Sequence, residues 1–186
     1  LSFIQTPKVE NKKVPGPNEK EFALLRDKFL ELESSKNYID KRNGLLCLIL
    51  SMTAFRVSEA LSLNIEDIDF EKSILSITRK GKRLNQEFYI GKKLLSKIKN
   101  FLIFDKRIEG PLFINQDKVK AVNNRLSRVS AYRIIKSIGD SIGIENLHPH
   151  KFRHFSATEA KEANKGNIHE TIKFTGHITP EQMGRY

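Results

Sequence analysis

The 186-residue sequence predicts a mainly α fold with a small antiparallel β-sheet (α+β). Three observations carry this. Apolar residues recur at three- and four-residue spacing over most of the chain, as in Phe22, Leu25, Phe29 and Leu32. The pattern turns strand-like in Ser73–Arg79 and Leu84–Ile90, two β-prone runs around Lys80-Gly81-Lys82-Arg83 that read as a hairpin with a basic tip. The length suits one domain large enough to bury its own core.

Taken in order, residues 1–17 carry Lys8, Lys12 and Lys13 among Pro7, Pro15, Gly16 and Pro17, a composition for an extended basic linker. The chain opens on Leu1-Ser2 rather than Met, so the expectation is a fragment preceded by a further N-terminal portion. Asn18 followed by Glu21 forms a capping-box pattern that opens the first helix. A second helix is expected over about Asp40 to Ala54 and a third from Arg56 through Leu63. After the hairpin, Lys92–Phe104 is helical again and Leu112–Asn115 is a short third strand. A basic amphipathic helix spans Asn123 to about Ile142. Pro149 suits the first turn of the next helix, which runs to about Ala163. Short helices near Ile168–Thr175 and Pro180–Tyr186 close the chain, and no internal repeat is visible.

Charge narrows the partner. Lys and Arg number 33 against 22 acidic residues, a formal net charge of +11. Such an excess points to a polyanion, nucleic acid ahead of an anionic membrane. No apolar run approaches the ~20 residues of a membrane helix; the longest, Leu45 to Leu50, belongs to a core helix. No signal peptide is expected from this sequence, and the single cysteine, Cys47, lies in that apolar run. It reads as a buried thiol in a reducing cytoplasm, with no disulfide available.

Several side chains carry chemistry. Cleaving a phosphodiester requires a nucleophile, neutralisation of the non-bridging oxygens and a proton for the leaving oxygen. Arginine suits the second task because its planar fork pairs two oxygens and stays charged. A tyrosine becomes a useful nucleophile only where a cationic pocket favours its phenolate. Arg56 follows an apolar helix, in Thr53-Ala54-Phe55-Arg56-Val57-Ser58-Glu59, where it either pairs with Glu59 or Asp67 or meets a phosphate. His150 and Arg153 are three apart on one helix face, and His154 could share it. The i,i+4 histidines match a zinc spacing, but Lys151 and Arg153 lie between them and would repel a dication. Lys80 at a hairpin tip is either a solvated charge or a mobile general acid. Glu66, Asp67, Asp69 and Glu71 lack the central glycine and spaced ligands of a calcium loop, and no nucleotide-phosphate loop is present.

Singly weak, these signals form an ordered set, and with them the sequence resembles the tyrosine recombinases, the integrase and Xer-like family. The resemblance covers that family's catalytic domain, from about Asn18 to Tyr186. Thr53 to Leu61 matches its first box, with Asp67 where a structural acid is usual. Lys80, 24 residues after Arg56, matches the hairpin lysine; His150-x-x-Arg153 matches the second box and Gly176-His177 the third. Tyr186 falls nine residues beyond His177, the usual distance to the nucleophile. Ala54 stands in place of the usual glycine, and Phe174-Thr175 in place of an apolar pair.

The resemblance implies site-specific recombination of double-stranded DNA. Tyr186 would attack the scissile phosphate to give a 3′-phosphotyrosine. Arg56 and Arg153 would hold its oxygens, Lys80 would protonate the leaving 5′ oxygen, His150 would accept the tyrosine proton or donate in the transition state, and His177 would orient the phosphate. No metal or cofactor is implied. Glu59 and Asp67 would be structural, and Lys82, Arg83, Arg125, Arg128 and Arg133 are candidate DNA contacts, the last three on the basic helix. The full-length protein would act as a homotetramer on two DNA sites through a Holliday junction. Residues 1–17 would link to an N-terminal DNA-clamp domain, and a C-terminal docking helix is not found in residues 18–186. The expected setting is a bacterial or mobile-element protein at the nucleoid. The alternatives are a type IB topoisomerase, which relaxes supercoils without pairing sites, and a non-catalytic basic DNA-binding module.

Overall fold

The computed structural model describes residues 18–78, 85–115, 124–153 and 156. Helix α1 (Glu19–Ser34) opens on the reciprocal box expected for it: Asn18 Oδ1 accepts from the Glu21 amide and Glu21 Oε2 accepts from the Asn18 amide, both at 2.9 Å. Helix α2 (Tyr38–Thr53) begins before the expected Asp40, because Asn37 Oδ1 accepts from the Ile39 and Asp40 amides. Every residue from Leu45 to Leu50 is buried, so α2 is the central post of the core. Its contact with α1 is close because Gly44 has no side chain; a Cβ there would lie 2.4 Å from the Glu33 nitrogen.

Helix α4 (Lys92–Asp105) packs on the same post. One buried carboxylate ties the three helices: Glu33, 2 % exposed, lies 2.5 Å from Lys97 Nζ and 4.0 Å from Lys41 Nζ, which also donates to the Glu33 main-chain carbonyl. A carboxylate removed from water is tolerable only with such partners.

Between α2 and α4 the chain forms helix α3 (Val57–Ser62), a 3₁₀ turn (Ile65–Asp67) and strands β1 (Ile68–Asp69), β2 (Ile74–Thr78) and β3 (Asn85–Tyr89). The sheet is antiparallel in the order β1-β2-β3, with Leu75 opposite Ile68 on one side and Phe88 on the other. Leu75 and Ile77 point to the core at the strand period of two.

The mainly α chain with one small antiparallel sheet is as the sequence predicted, with two local corrections. The third strand is β1, not Leu112–Asn115, which forms only an isolated bridge, Ile114 to Arg125. Leu112 and Phe113 are apolar because they fill the core beside Leu63, whose carbonyl accepts from the Leu112 amide. The basic helix, α5 (Arg128–Ser141), starts later than Asn123: Ser127 Oγ caps it by accepting from Ser130 N. Upstream, the Asn124 carbonyl and the Leu126 amide are engaged with Asn115 and Phe113, which holds that stretch extended.

Near the end of α5, Gly139 admits the following turn, since a Cβ there would lie 2.6 Å from Leu147 Cβ and 2.7 Å from the Ile144 oxygen. That turn leads into a helical segment at residues 149–153, where Phe152 is buried against Phe29 with ring centroids 5.4 Å apart. No described helix is long and apolar enough to cross a membrane.

Candidate active site

A loop and a helical segment of the fold meet at the C-terminal end of α2. The first is Thr53 to Arg56. Thr53 Oγ1 donates back to the Ile49 carbonyl, 2.6 Å, and accepts from the Phe55 amide. Ala54 then takes a left-handed backbone, φ 52° and ψ 22°, which reverses the chain. This is the position where the resemblance expects glycine, and a left-handed alanine costs about 1–2 kcal/mol. Arg56 opens α3, and Glu59 binds it twice: Oε2 accepts from the Arg56 amide, 2.8 Å, and Oε1 from Nη1, 2.9 Å. The side chain of Arg56 stays 43 % exposed, so the carboxylate orients the guanidinium and leaves much of it facing solvent.

The second component is the segment with His150 and Arg153. Arg153 is 3 % exposed, and its Nη1 donates to the Ala54 carbonyl. Ser156 Oγ donates to the Ser51 carbonyl one turn earlier. These carbonyls belong to the last turn of α2, where main-chain acceptors lack helical partners and carry the negative end of the helix dipole. The buried guanidinium thus donates to a helix terminus. The same contact brings Arg153 to the loop that carries Arg56.

His150 shares this field. Its pKa is lowered from the ordinary imidazole value, first by partial desolvation and then by the Arg153 and Arg56 charges. The ring is thus biased toward the neutral form, the state needed to accept a proton. His148, which the sequence reading did not single out, lies beside it with ring planes 13° apart and centroids 6.4 Å apart. Its pKa is lowered as well, by desolvation and then by Lys151 and His150. The signal in the sequence was the second histidine two positions before the first, across Pro149.

The structure therefore brings Arg56, Glu59, His150 and Arg153 together. Lys80, Lys82, Arg83, His154, His177 and Tyr186 lie outside the described residues, as do the linker 1–17 and the helices expected at 168–175 and 180–186. Asp67 Oδ2 accepts from the Asn64 amide, 2.8 Å, and so caps the 3₁₀ turn.

Of the arginines assigned to DNA from the sequence, Arg128 and Arg133 are exposed on α5. Arg125 lies before that helix and points inward: Nη1 donates to the Leu61 and Leu63 carbonyls and Nη2 to Asn64 Oδ1. Its donors bind the end of α3 to the approach of α5. Among the described residues, no group of three or more His, Cys, Asp or Glu side chains is placed to hold a metal ion.

Comparison with known proteins identifies the family and the fold. Tyrosine recombinase XerA of Pyrococcus horikoshii is 33 % identical over 159 residues, covering 85 % of this chain and 53 % of the relative. The TnP I resolvase of Bacillus thuringiensis is 36 % identical over 157 residues, covering 81 % of this chain and 50 % of the relative. The chain thus spans about half the length of these relatives. Among solved structures, XerA recombinase superposes with a TM-score of 0.75 at 23 % identity, over 97 % of this chain and 61 % of that one. The XerH site-specific recombinase in its post-cleavage complex with palindromic difH substrate gives 0.78 at 24 % identity, over 95 % and 50 % respectively. Those two likenesses establish the fold. The phage integrase family matches residues 26–186, from α1 through Arg56 and Arg153 to the last tyrosine, and the chain belongs to that family.

Proposed function

We propose that this chain is the catalytic part of a site-specific DNA recombinase that breaks and rejoins strands through a phosphotyrosyl intermediate. The observation that carries the reading is the convergence of Arg56, His150 and Arg153 on the end of α2, two cations around a histidine biased toward neutrality. Such a pocket suits a phosphodiester: the guanidinium forks match its non-bridging oxygens and stabilise the charge that grows in the transition state. The similarity to recombinases, one of them crystallised with its DNA substrate, supports double-stranded DNA as the partner.

In the proposed reaction the Tyr186 oxygen attacks phosphorus and its proton passes to His150. The bond to the 5′ oxygen breaks, and that oxygen takes a proton from Lys80, leaving a 3′-phosphotyrosine and a free 5′-hydroxyl. His177 orients the phosphate. The exposed arginines of α5, Arg128 and Arg133, track the DNA backbone together with Lys82 and Arg83. A homotetramer on two DNA sites and a nucleoid setting belong to the same proposal for the full-length protein.

The test is trapping on a nicked duplex, whose short 5′ fragment diffuses away after cleavage. We expect a covalent protein–DNA adduct that disappears in Tyr186→Phe. An adduct that survives that change would move the nucleophile to another residue.

A further inference from the structure

We propose that Val129 and Tyr132 read thymine methyl groups in the major groove, so that the first two turns of α5 supply part of the chain's sequence preference. This rests on the recombinase reading for duplex DNA as the partner, and on the exposed face of α5 for its substance.

Helix α5 buries Ala131, Ile135 and Ile138 on one side. Val129, Tyr132, Arg133 and Lys136 follow one another at three- and four-residue spacing and so share the other side. Val129 is 61 % exposed and Tyr132 50 % exposed. A single exposed apolar residue needs no explanation, but here two adjoin on a face framed by cations. Valine is also a poor helix former, because its branched side chain loses rotamer freedom, and no packing offsets that at such exposure.

The charges say what this face meets. Lys136 is held by Asp140, 3.0 Å, toward the C-terminal end, whereas Arg128 and Arg133 have no acidic partner among the described residues. Helices α1, α2 and α3 place an acid in the first turn, as the helix dipole favours; α5 places none and begins on Arg128. Helix α4 also lacks an acid there, but its first turn presents Lys92 and Lys93 without an exposed apolar side chain. A partner with apolar groups set between negative charges suits α5. A duplex is such a partner: phosphates line the major groove, and the C5-methyl group of each thymine projects into it. A helix about 10–12 Å across also fits a groove about 12 Å wide.

The position of α5 agrees. Arg125, just before it, donates to carbonyls at the end of α3, the helix that Arg56 opens. The turn leading to His150 packs on Gly139 near its other end. Both ends are therefore tied to the elements that carry the phosphate-binding side chains. Val129 and the Tyr132 ring bury methyl groups against carbon, for which the tyrosine hydroxyl is not needed. Losing one such methyl contact weakens binding about fourfold.

The experiment selects preferred duplexes for the whole chain from a pool with a randomised centre. Each thymine of the selected duplex is then replaced singly by uracil, which removes only the methyl group. We expect the wild-type chain to lose about fourfold in affinity at one or more positions. At those positions Val129→Ser or Tyr132→Ser should bind the thymine and uracil duplexes alike, and Tyr132→Phe should keep the preference. None of these changes removes a charge, so the slope of log affinity against log salt should stay at its wild-type value. Both positions are exposed, so the variants should fold, which circular dichroism checks. A pool without enrichment, a wild-type chain indifferent to every uracil, or a preference undiminished in both serine variants overturns the inference. Lost self-association in sedimentation with duplex binding unchanged also overturns it, and gives the face to a protein partner. If the methyl preference stands but the selected duplex, nicked, yields no adduct with the wild-type chain, the recombinase reading falls and the base-reading face remains.

Discussion

Replacing Gly139 by alanine sets two physical effects against each other. Gly139 lies within α5, and alanine in a helix interior is favoured over glycine by about 0.8–1.0 kcal/mol, less near the helix end. Helix propensity alone therefore predicts a gain. The tertiary structure predicts the opposite, because the new Cβ would meet Leu147 Cβ at 2.6 Å, the Ile144 oxygen at 2.7 Å and Leu147 Cδ2 at 3.1 Å. Two of these atoms are rooted in the backbone, so no side-chain rotation relieves the overlap and the 144–147 turn must shift by about 1 Å. Overpacking of this kind costs about 1–3 kcal/mol, and with roughly 0.5 kcal/mol of helix gain left this near the helix end the net loss is about 0.5–2.5 kcal/mol. Urea unfolding followed by circular dichroism should show a lower midpoint with an unchanged slope. Adduct formation should fall further than stability does, because the displaced turn leads directly into His148, His150 and Arg153. A Gly139→Ala protein as stable as the wild type, or more so, would refute the argument that this close approach sets the position of the segment with His150 and Arg153. Gly91→Ser is the control: nothing lies within 4 Å of a Cβ there and φ is −65°, so stability should rise by about 0.5 kcal/mol.

Further outcomes follow from the same geometry. Truncating Arg56 or Arg153 to alanine should slow adduct formation by about 10²-fold or more, as loss of one transition-state donor does, measured in single-turnover trapping. Arg153→Ala should also lower stability, since it removes the buried donor to the Ala54 carbonyl, whereas exposed Arg56 should cost less. The arginines of the basic region should separate by salt. Arg128→Ala and Arg133→Ala should each reduce the slope of log affinity against log salt by about one, while Arg125→Ala should leave that slope and unfold more easily by about 1–3 kcal/mol. For pH, the folded pKa values of His148 and His150 lie below their unfolded value, so the unfolded chain binds more protons on acidification. Their contribution to stability should be complete above about pH 6.5 and decline as the pH falls toward the folded values. An unfolding series at stepped pH checks this, and stability from these groups that increased on acidification would contradict it.

Local chemistry was legible in residue order. The Asn18 and Glu21 box, the apolar run of α2, the two strand-forming runs and the boxes around Arg56 and His150 each use short-range rules that a sequence displays directly. The readings that failed or were missed depend on distant partners. Arg125 looked like its basic neighbours, yet it is spent on carbonyls 62 and 64 residues away. Leu112–Asn115 had the composition of a strand but serves as core filling, while two-residue β1 is too short to leave a period.

The sequence by itself therefore determined the helices and the paired strands of the described residues, and supplied the side chains suited to a phosphodiester. Only the tertiary structure decided which of those side chains meet. Arg153 reaches the Ala54 carbonyl across 99 residues because main-chain acceptors without helical partners at the end of α2 can hydrogen-bond a guanidinium taken out of water. That requirement places Arg153 beside Arg56, and the glycine contact at Leu147 delivers His148 and His150 to the same edge.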